Sequence, residues 1–261
     1  MGFDFVVKYC ENLGEEIIKH ITVNRIERNK PSILAITGES GEGKSYTALR
    51  IAEIINNHYG LDTAEYVDDI VVFTPLEYKE KIENILFNPD LKDLRVLIID
   101  EARELIKSKL WYDFIVQAIA DICNIHRRIK PLVLIVVSQF WQDIVKDVRR
   151  SVTFYGKCFR PLYGNHVYLR MYRVVKSDAN LENPRMYKRY LRGFIVKDGR
   201  YQFVTVKQFK IRKPSNAVIE EYEKLSYMKK EEIIDIKMRK LMERIEKDLG
   251  LSDSGLGDEY A

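Results

Sequence analysis

Eight consecutive residues, Gly38-Glu39-Ser40-Gly41-Glu42-Gly43-Lys44-Ser45, carry the spacing GxxxxGK[ST]. The chemistry this spacing serves is the holding of phosphate. Glycines let the backbone curl so that several N–H groups converge on one anion, and a helix starting at Ser45 adds the positive end of its dipole. In this pattern Lys44 reaches the β- and γ-phosphates of a nucleoside triphosphate, ATP above all, and the Ser45 hydroxyl ligates Mg²⁺. Glu39 and Glu42 are unusual beside a triphosphate and fit only with their side chains turned outward.

A second group is Leu97-Ile98-Ile99-Asp100-Glu101. An apolar run that ends in acids puts them at the carboxyl edge of a sheet, where α/β proteins bind their ligands. Taken alone, such a pair is more often a helix N-cap. Following a phosphate-binding loop by one strand and one helix, it suits in-line phosphoryl transfer: Asp100 holds Mg²⁺ through water and Glu101 polarises the attacking water. A third group, Val136-Val137-Ser138-Gln139, ends another apolar run in polar residues. A side chain there can bond the γ-phosphate or the attacking water, and Gln139 is favoured over Ser138 for this sensing role. Two arginine pairs, Arg127-Arg128 and Arg149-Arg150, flank that region. Cations at helix ends complement the dipole; the sharper alternative is an arginine supplied to a neighbouring subunit's ATP, with Arg128 first in line.

These residues need elements to hold them. Continuous apolar runs at 32–37, 70–74, 94–100 and 132–137 read as buried strands. Between them, 46–57, 79–87, 112–128 and 142–150 read as helices. Fully apolar strands separated by helices indicate a mostly parallel sheet covered on both faces, an α/β fold. Residues 3–21 read as an opening amphipathic helix. After Ser151 the runs 152–155, 167–174, 190–196 and 201–206 are β-rich, and Asp198-Gly199 marks a hairpin turn. Residues 176–188 read as an exposed loop. From 215 to 249 the chain reads as a charged helix whose Ile234, Met238, Leu241 and Ile245 follow 4-3-4 spacing, fewer than three heptads, so a packed surface helix is expected. The resulting division is an N-terminal helical segment (1–30), a core (31–160), a β-rich extension (161–213), a charged helix (214–250) and a tail (251–261).

Composition narrows the class. At 46% hydrophobic and 31% charged residues, 261 residues make a folded chain with a sizeable core rather than a disordered one. Forty-three basic against 39 acidic residues leave +4, which says little about nucleic acid. Cys10, Cys123 and Cys158 are too few and too scattered for a disulfide framework. No apolar run approaches about 20 residues, and acids stand where a signal peptide would be basic. A cytoplasmic location without a transmembrane segment is the expectation. Abundant Lys, Glu, Ile and Tyr lean towards a thermophilic source. His20, His58, His126 and His166 lack metal-ligand spacing, and no nucleophilic triad is visible.

In order along the chain, the phosphate-binding loop, Asp100-Glu101, His126-Arg127-Arg128 and Gln139 resemble the HerA/FtsK superfamily of P-loop ATPases. The stretch 98–161 is most similar to the zonula occludens toxin-type and viral DNA-packaging branch. The resemblance covers about residues 30–160. It implies a RecA-like P-loop NTPase core working as a homo-oligomeric ring, a hexamer in that superfamily, that hydrolyses ATP with Mg²⁺ to translocate or package double-stranded DNA. It also implies that Arg128 stands where the superfamily often keeps its finger. The acids of the loop depart from the usual Thr and Ser, and the membrane anchor of some members is missing. Two other classes fit the loop: an AAA+ initiator or helicase loader, which should continue into a helical lid where strands are read here, and a nucleotide-dependent scaffold, which has no use for Glu101. In the β-rich part Arg160, Arg170, Arg173, Arg185, Lys188, Arg189, Arg192 and Arg200 alternate with Tyr163, Tyr168, Tyr172, Tyr187 and Tyr190. Such interleaving suits phosphate contact with base stacking, and equally a sheet with a solvated arginine face over packed tyrosines.

Overall fold

A computed structural model of the chain describes residues 3–100, 130–144, 146–159, 164–176 and 186–248. The chain divides into two compact units, Met1–Ile219 and Glu220–Ala261. In the first, β1 (Phe5–Lys8) leads into α1 (Leu13–Glu27), then β2 (Ser32–Thr37) and α2 (Lys44–His58). A short helix α3 (Val67–Ile70) precedes β3 (Val71–Val72) and α4 (Pro75–Phe87), followed by β4 (Val96–Ile99) and β5 (Val133–Ser138). Then come α5 (Lys146–Ser151), β6 (Phe154–Cys158), β7 (His166–Lys176), β8 (Met186–Lys197), β9 (Arg200–Val206) and β10 (Phe209–Arg212), before α6 (Asn216–Asp248). The helix expected at 112–128 lies outside the described residues, as does most of the loop expected at 176–188.

All ten strands belong to one sheet, with the main order β1-β8-β7-β6-β2-β5-β4-β3. From β6 to β3 the pairs are parallel, so the fold is mixed α/β with a mostly parallel core. Every residue of β2, β4 and β5 is buried, which is why their sequences show no apolar–polar alternation. The antiparallel β7 then continues the sheet from β6 without a break. The β-rich extension is therefore an enlargement of the core sheet. Its β8–β9 hairpin turns through Asp198 and Gly199, both at positive φ, with Lys197 paired to Arg200.

The opening segment corrects the sequence reading. Phe5–Lys8 is a strand, paired in parallel with Gly193 to Val196 of β8. Phe5 is fully buried there, and a Cβ on Gly193 would lie 2.3 Å from the Phe5 carbonyl oxygen. Only glycine permits that approach. A partner nearly two hundred residues away thus overrides the local helical spacing. The second buried strand is also shorter than expected, because Val67–Ile70 turns helically just before it. Of the helix expected at 142–150, only 146–151 forms; Trp141–Asp143 is a single 3₁₀ turn.

Burial of α1 and α2 rests partly on charge. Glu15 accepts hydrogen bonds from Arg50 (2.7 Å) and Arg212 (2.8 Å), and Arg50 also bridges to Glu53. Burial alone would raise the Glu15 carboxyl, but the Arg212 and Arg50 guanidiniums outweigh it and hold it down at about 2. In the second unit the helix exposes Ile234, Met238, Leu241 and Ile245, so the seam expected to be packed is open to solvent.

Candidate nucleotide site

The carboxyl ends of β2, β5 and β4 bring the predicted residues together. β2 ends at Thr37 and the loop 38–43 follows directly. Gly43 is the N-cap of α2 at φ +77°, a left-handed conformation that strains any residue with a Cβ. Gly38 is needed for space: a Cβ there would sit 2.7 Å from the Glu42 carboxylate and 3.0 Å from the Cys158 Cβ. The Gly38 amide donates to the Gln139 carbonyl (3.2 Å), which ties the start of the loop to the end of β5.

The ends of the loop strand and the Asp100 strand are one strand apart, because β5 is inserted between β2 and β4. Asp100 is only 1% exposed, and its amide donates to the Val72 carbonyl at 3.0 Å. The Ser45 hydroxyl donates to Asp100 Oδ1 at 3.2 Å. One hydroxyl and one carboxylate side by side suit Mg²⁺, which takes few protein ligands and keeps water and phosphate oxygens for the rest. No group of three or more His, Cys, Asp or Glu side chains that could cage a metal occurs among the described residues.

Lys44 donates to the Glu39 carbonyl at 2.9 Å, within its own loop. The two acids of the loop behave differently. Glu39 is exposed, whereas the Glu42 carboxylate folds back and accepts the Glu39 N–H at 2.6 Å. An outward Glu42 is thus not what the chain adopts, and the reason is physical: converging amides attract the nearest carboxylate. At the end of β5, Gln139 is half-buried, while the neighbouring Ser138 hydroxyl is buried and finds no partner among the described residues. A buried hydroxyl without a partner, beside Thr37 in the strand register, is a donor available to an oxygen atom bound at this edge. Glu101, Arg127 and Arg128 lie outside the described residues. Arg149 and Arg150 are half-buried on α5.

The wall of the site holds residues that motif reading passed over. Tyr155 on β6 shares a hydrogen bond with the Thr37 hydroxyl (2.8 Å). Its ring continues a line of aromatic contacts from Trp141 (4.7 Å) to Tyr172 (5.9 Å) and on to Tyr190 (4.9 Å). The Lys188 ammonium sits 3.5 Å from the Tyr155 centroid and 4.3 Å from that of Trp141. Burial pushes it down to about 8, and nearby Lys157 and Arg149 push the same way. Cys158 packs against Thr47 (3.4 Å), and burial raises its thiol to about 11, so it is no nucleophile near neutral pH. The alternation of tyrosine with cations along β6 to β8 was the available signal for this wall, but spacing alone does not say which tyrosine faces the loop.

Strand order, loop and acid together make this a mixed α/β domain of the RecA-like P-loop class. No family model and no curated protein matches the chain. Among solved structures it is similar to the ATPase domain of a helicase, with a TM-score of 0.31 at 13% identity, covering 67% of this chain and 85% of that one. It is also similar to a KaiC-like protein from the hyperthermophilic archaeon Pyrococcus horikoshii OT3, with a TM-score of 0.34 at 10% identity, covering 66% and 89%. Likenesses this distant transfer no activity; the site itself has to speak. No helix among the described residues is long and apolar enough to cross a membrane.

Proposed function

We propose that the chain is a Mg²⁺-dependent ATPase of the HerA/FtsK type, acting as a homo-oligomeric ring, a hexamer by that resemblance, that translocates or packages double-stranded DNA. The observation that carries the nucleotide reading is the contact of Ser45 with Asp100 at 3.2 Å, at the end of a loop whose next residue inward is Lys44. In this reading the loop amides and Lys44 take the phosphate oxygens. Ser45 and, through water, Asp100 hold Mg²⁺, which supplies charge neutralisation on the β- and γ-oxygens. Glu101, next in the chain to Asp100, accepts a proton from water as the water oxygen bonds to the γ-phosphorus. The bond from that phosphorus to the bridging oxygen breaks, and ADP and phosphate leave. Gln139 and the unpartnered Ser138 hydroxyl lie at the edge where the γ-phosphate would end. The DNA part of the reading is supported by the order of motifs along the chain and by the basic, aromatic strands that extend the core sheet.

The test is turnover. Lys44→Ala should abolish ATP binding or hydrolysis, and Glu101→Gln should bind ATP without hydrolysing it. Full turnover by Glu101→Gln would remove the assignment of the base. Duplex DNA should raise the wild-type rate; a rate indifferent to DNA counts against the motor. Mixing Arg128→Ala with Glu101→Gln subunits should restore part of the activity if Arg128 acts on a neighbour's ATP.

A further inference from the structure

The basic charge of this chain is concentrated in one stretch. Residues 161–213 contain thirteen Lys and Arg against three Asp and Glu, a net +10 in a chain whose total is +4, so the other 208 residues carry −6. Part of that charge is organised by a single acid. The Asp4 side chain is 1% exposed, and its Oδ1 accepts from Arg173 (3.2 Å) and Arg189 (3.0 Å). Its Oδ2 accepts the backbone N–H of Arg192 at 3.0 Å. One carboxylate therefore fixes two guanidiniums in place and leaves a net positive charge around them.

These arginines line a cleft of about 630 Å³ together with Phe3, Phe194 and Phe203. Phe3 and Phe203 meet Phe194 edge-on, at 5.5 and 5.4 Å, yet are 58% and 57% exposed. Aromatic rings gathered at an open edge leave apolar surface in water, and such patches mark binding sites. We propose that this cleft binds single-stranded nucleic acid: the arginines take the phosphate oxygens and the exposed rings stack on unpaired bases. Charge complementarity selects a polyanion. The rings choose among polyanions, because bases locked in a duplex present no face to them, whereas an unpaired strand does. The site lies in the strand extension, away from the phosphate-binding loop, and goes beyond the duplex motor proposed above.

The experiment is fluorescence anisotropy of the full chain with a labelled oligothymidine of about 20 nucleotides, one to two site sizes for such folds, and with a duplex of equal length, in the absence of ATP and Mg²⁺. The single strand should bind more tightly than the duplex. Phe203→Ala should weaken it about 5- to 150-fold, the loss of one stacked base, while Phe203→Tyr should keep the affinity because the ring remains. Arg192→Ala should lower affinity and flatten the salt dependence by about one phosphate contact. Thermal melts show whether each variant folds, and Phe203→Tyr decides the matter if Phe203→Ala does not. Equal affinity for the duplex, wild-type binding by Phe203→Ala, or displacement of the strand by an oligo-glutamate peptide at similar concentration would overturn the proposal, the last in favour of an acidic protein partner. With no nucleotide present, failure here leaves the ATPase reading standing, and an inactive ATPase leaves this site standing.

Discussion

Replacing Glu42 by glutamine should tighten the binding of ATP. The Glu42 carboxylate accepts the Glu39 amide at 2.6 Å, so the phosphate-binding loop already holds an anion of its own. A triphosphate must displace that carboxylate before it can use the same amide, and must then tolerate a second negative charge close by. A charge-assisted hydrogen bond contributes about 1.5–3 kcal/mol where it is shielded, and the solvent exposure of this one places it at or below the lower end. Repulsion between the carboxylate and a phosphate at ~4 Å adds about 1 kcal/mol in a water-like medium. Glutamine keeps the size and a weaker version of the hydrogen bond, so roughly 1–2 kcal/mol should be recovered, a 5- to 30-fold lower Kd. Titration with a fluorescent ATP analogue at about 0.1 M salt measures it, and the gain should shrink near 1 M salt, where screening is strong. An affinity unchanged or weakened in Glu42→Gln would refute the idea that this side chain competes with phosphate.

Acid should unfold the protein partly through Glu15. Its folded value of about 2 lies below the ordinary 4.5, so its contribution is complete above pH 4.5 and is lost as pH falls towards 2. About 3 kcal/mol is at stake, and Glu15→Gln should flatten the loss in a series of denaturant titrations across that window. Gly193→Ala should strain the β1–β8 pairing, since the new methyl meets the Phe5 carbonyl at 2.3 Å; a melting temperature within a degree of wild type would contradict the close approach. Tyr155→Phe should cost about 1–3 kcal/mol by leaving the buried Thr37 hydroxyl without its partner, read by chemical denaturation, and an unchanged midpoint would count against that bond.

The parts of the site that were legible in sequence are those fixed by local chemistry. Gly38, Gly43, Lys44 and Ser45 declare a loop because no other residues give that backbone and that anion contact, and Asp100 stands out because an acid ending an apolar strand has few other uses. Long-range pairing was not legible. FVVK at 5–8 carries no local sign that Gly193 will receive it, and its spacing runs smoothly into α1. Phe209–Arg212 passed unnoticed because four residues give too short an alternation, although Phe209 and Ile211 are buried against β7. The inward turn of Glu42 was likewise invisible: sequence places an acid in the loop, but only three-dimensional proximity to the Glu39 amide decides where its carboxylate goes.

The unbroken hydrogen bonding from β2 through β6 and β7 to β8 has a mechanical meaning. No flexible joint separates the strand that ends at the phosphate-binding loop from the strand that carries Arg189 and Arg192. A tug on those arginines along the strand direction is borne by whole ladders of backbone bonds in shear, which yield together or not at all. Force applied to the basic strands is therefore delivered to the base of the loop as displacement, with little lost to bending on the way.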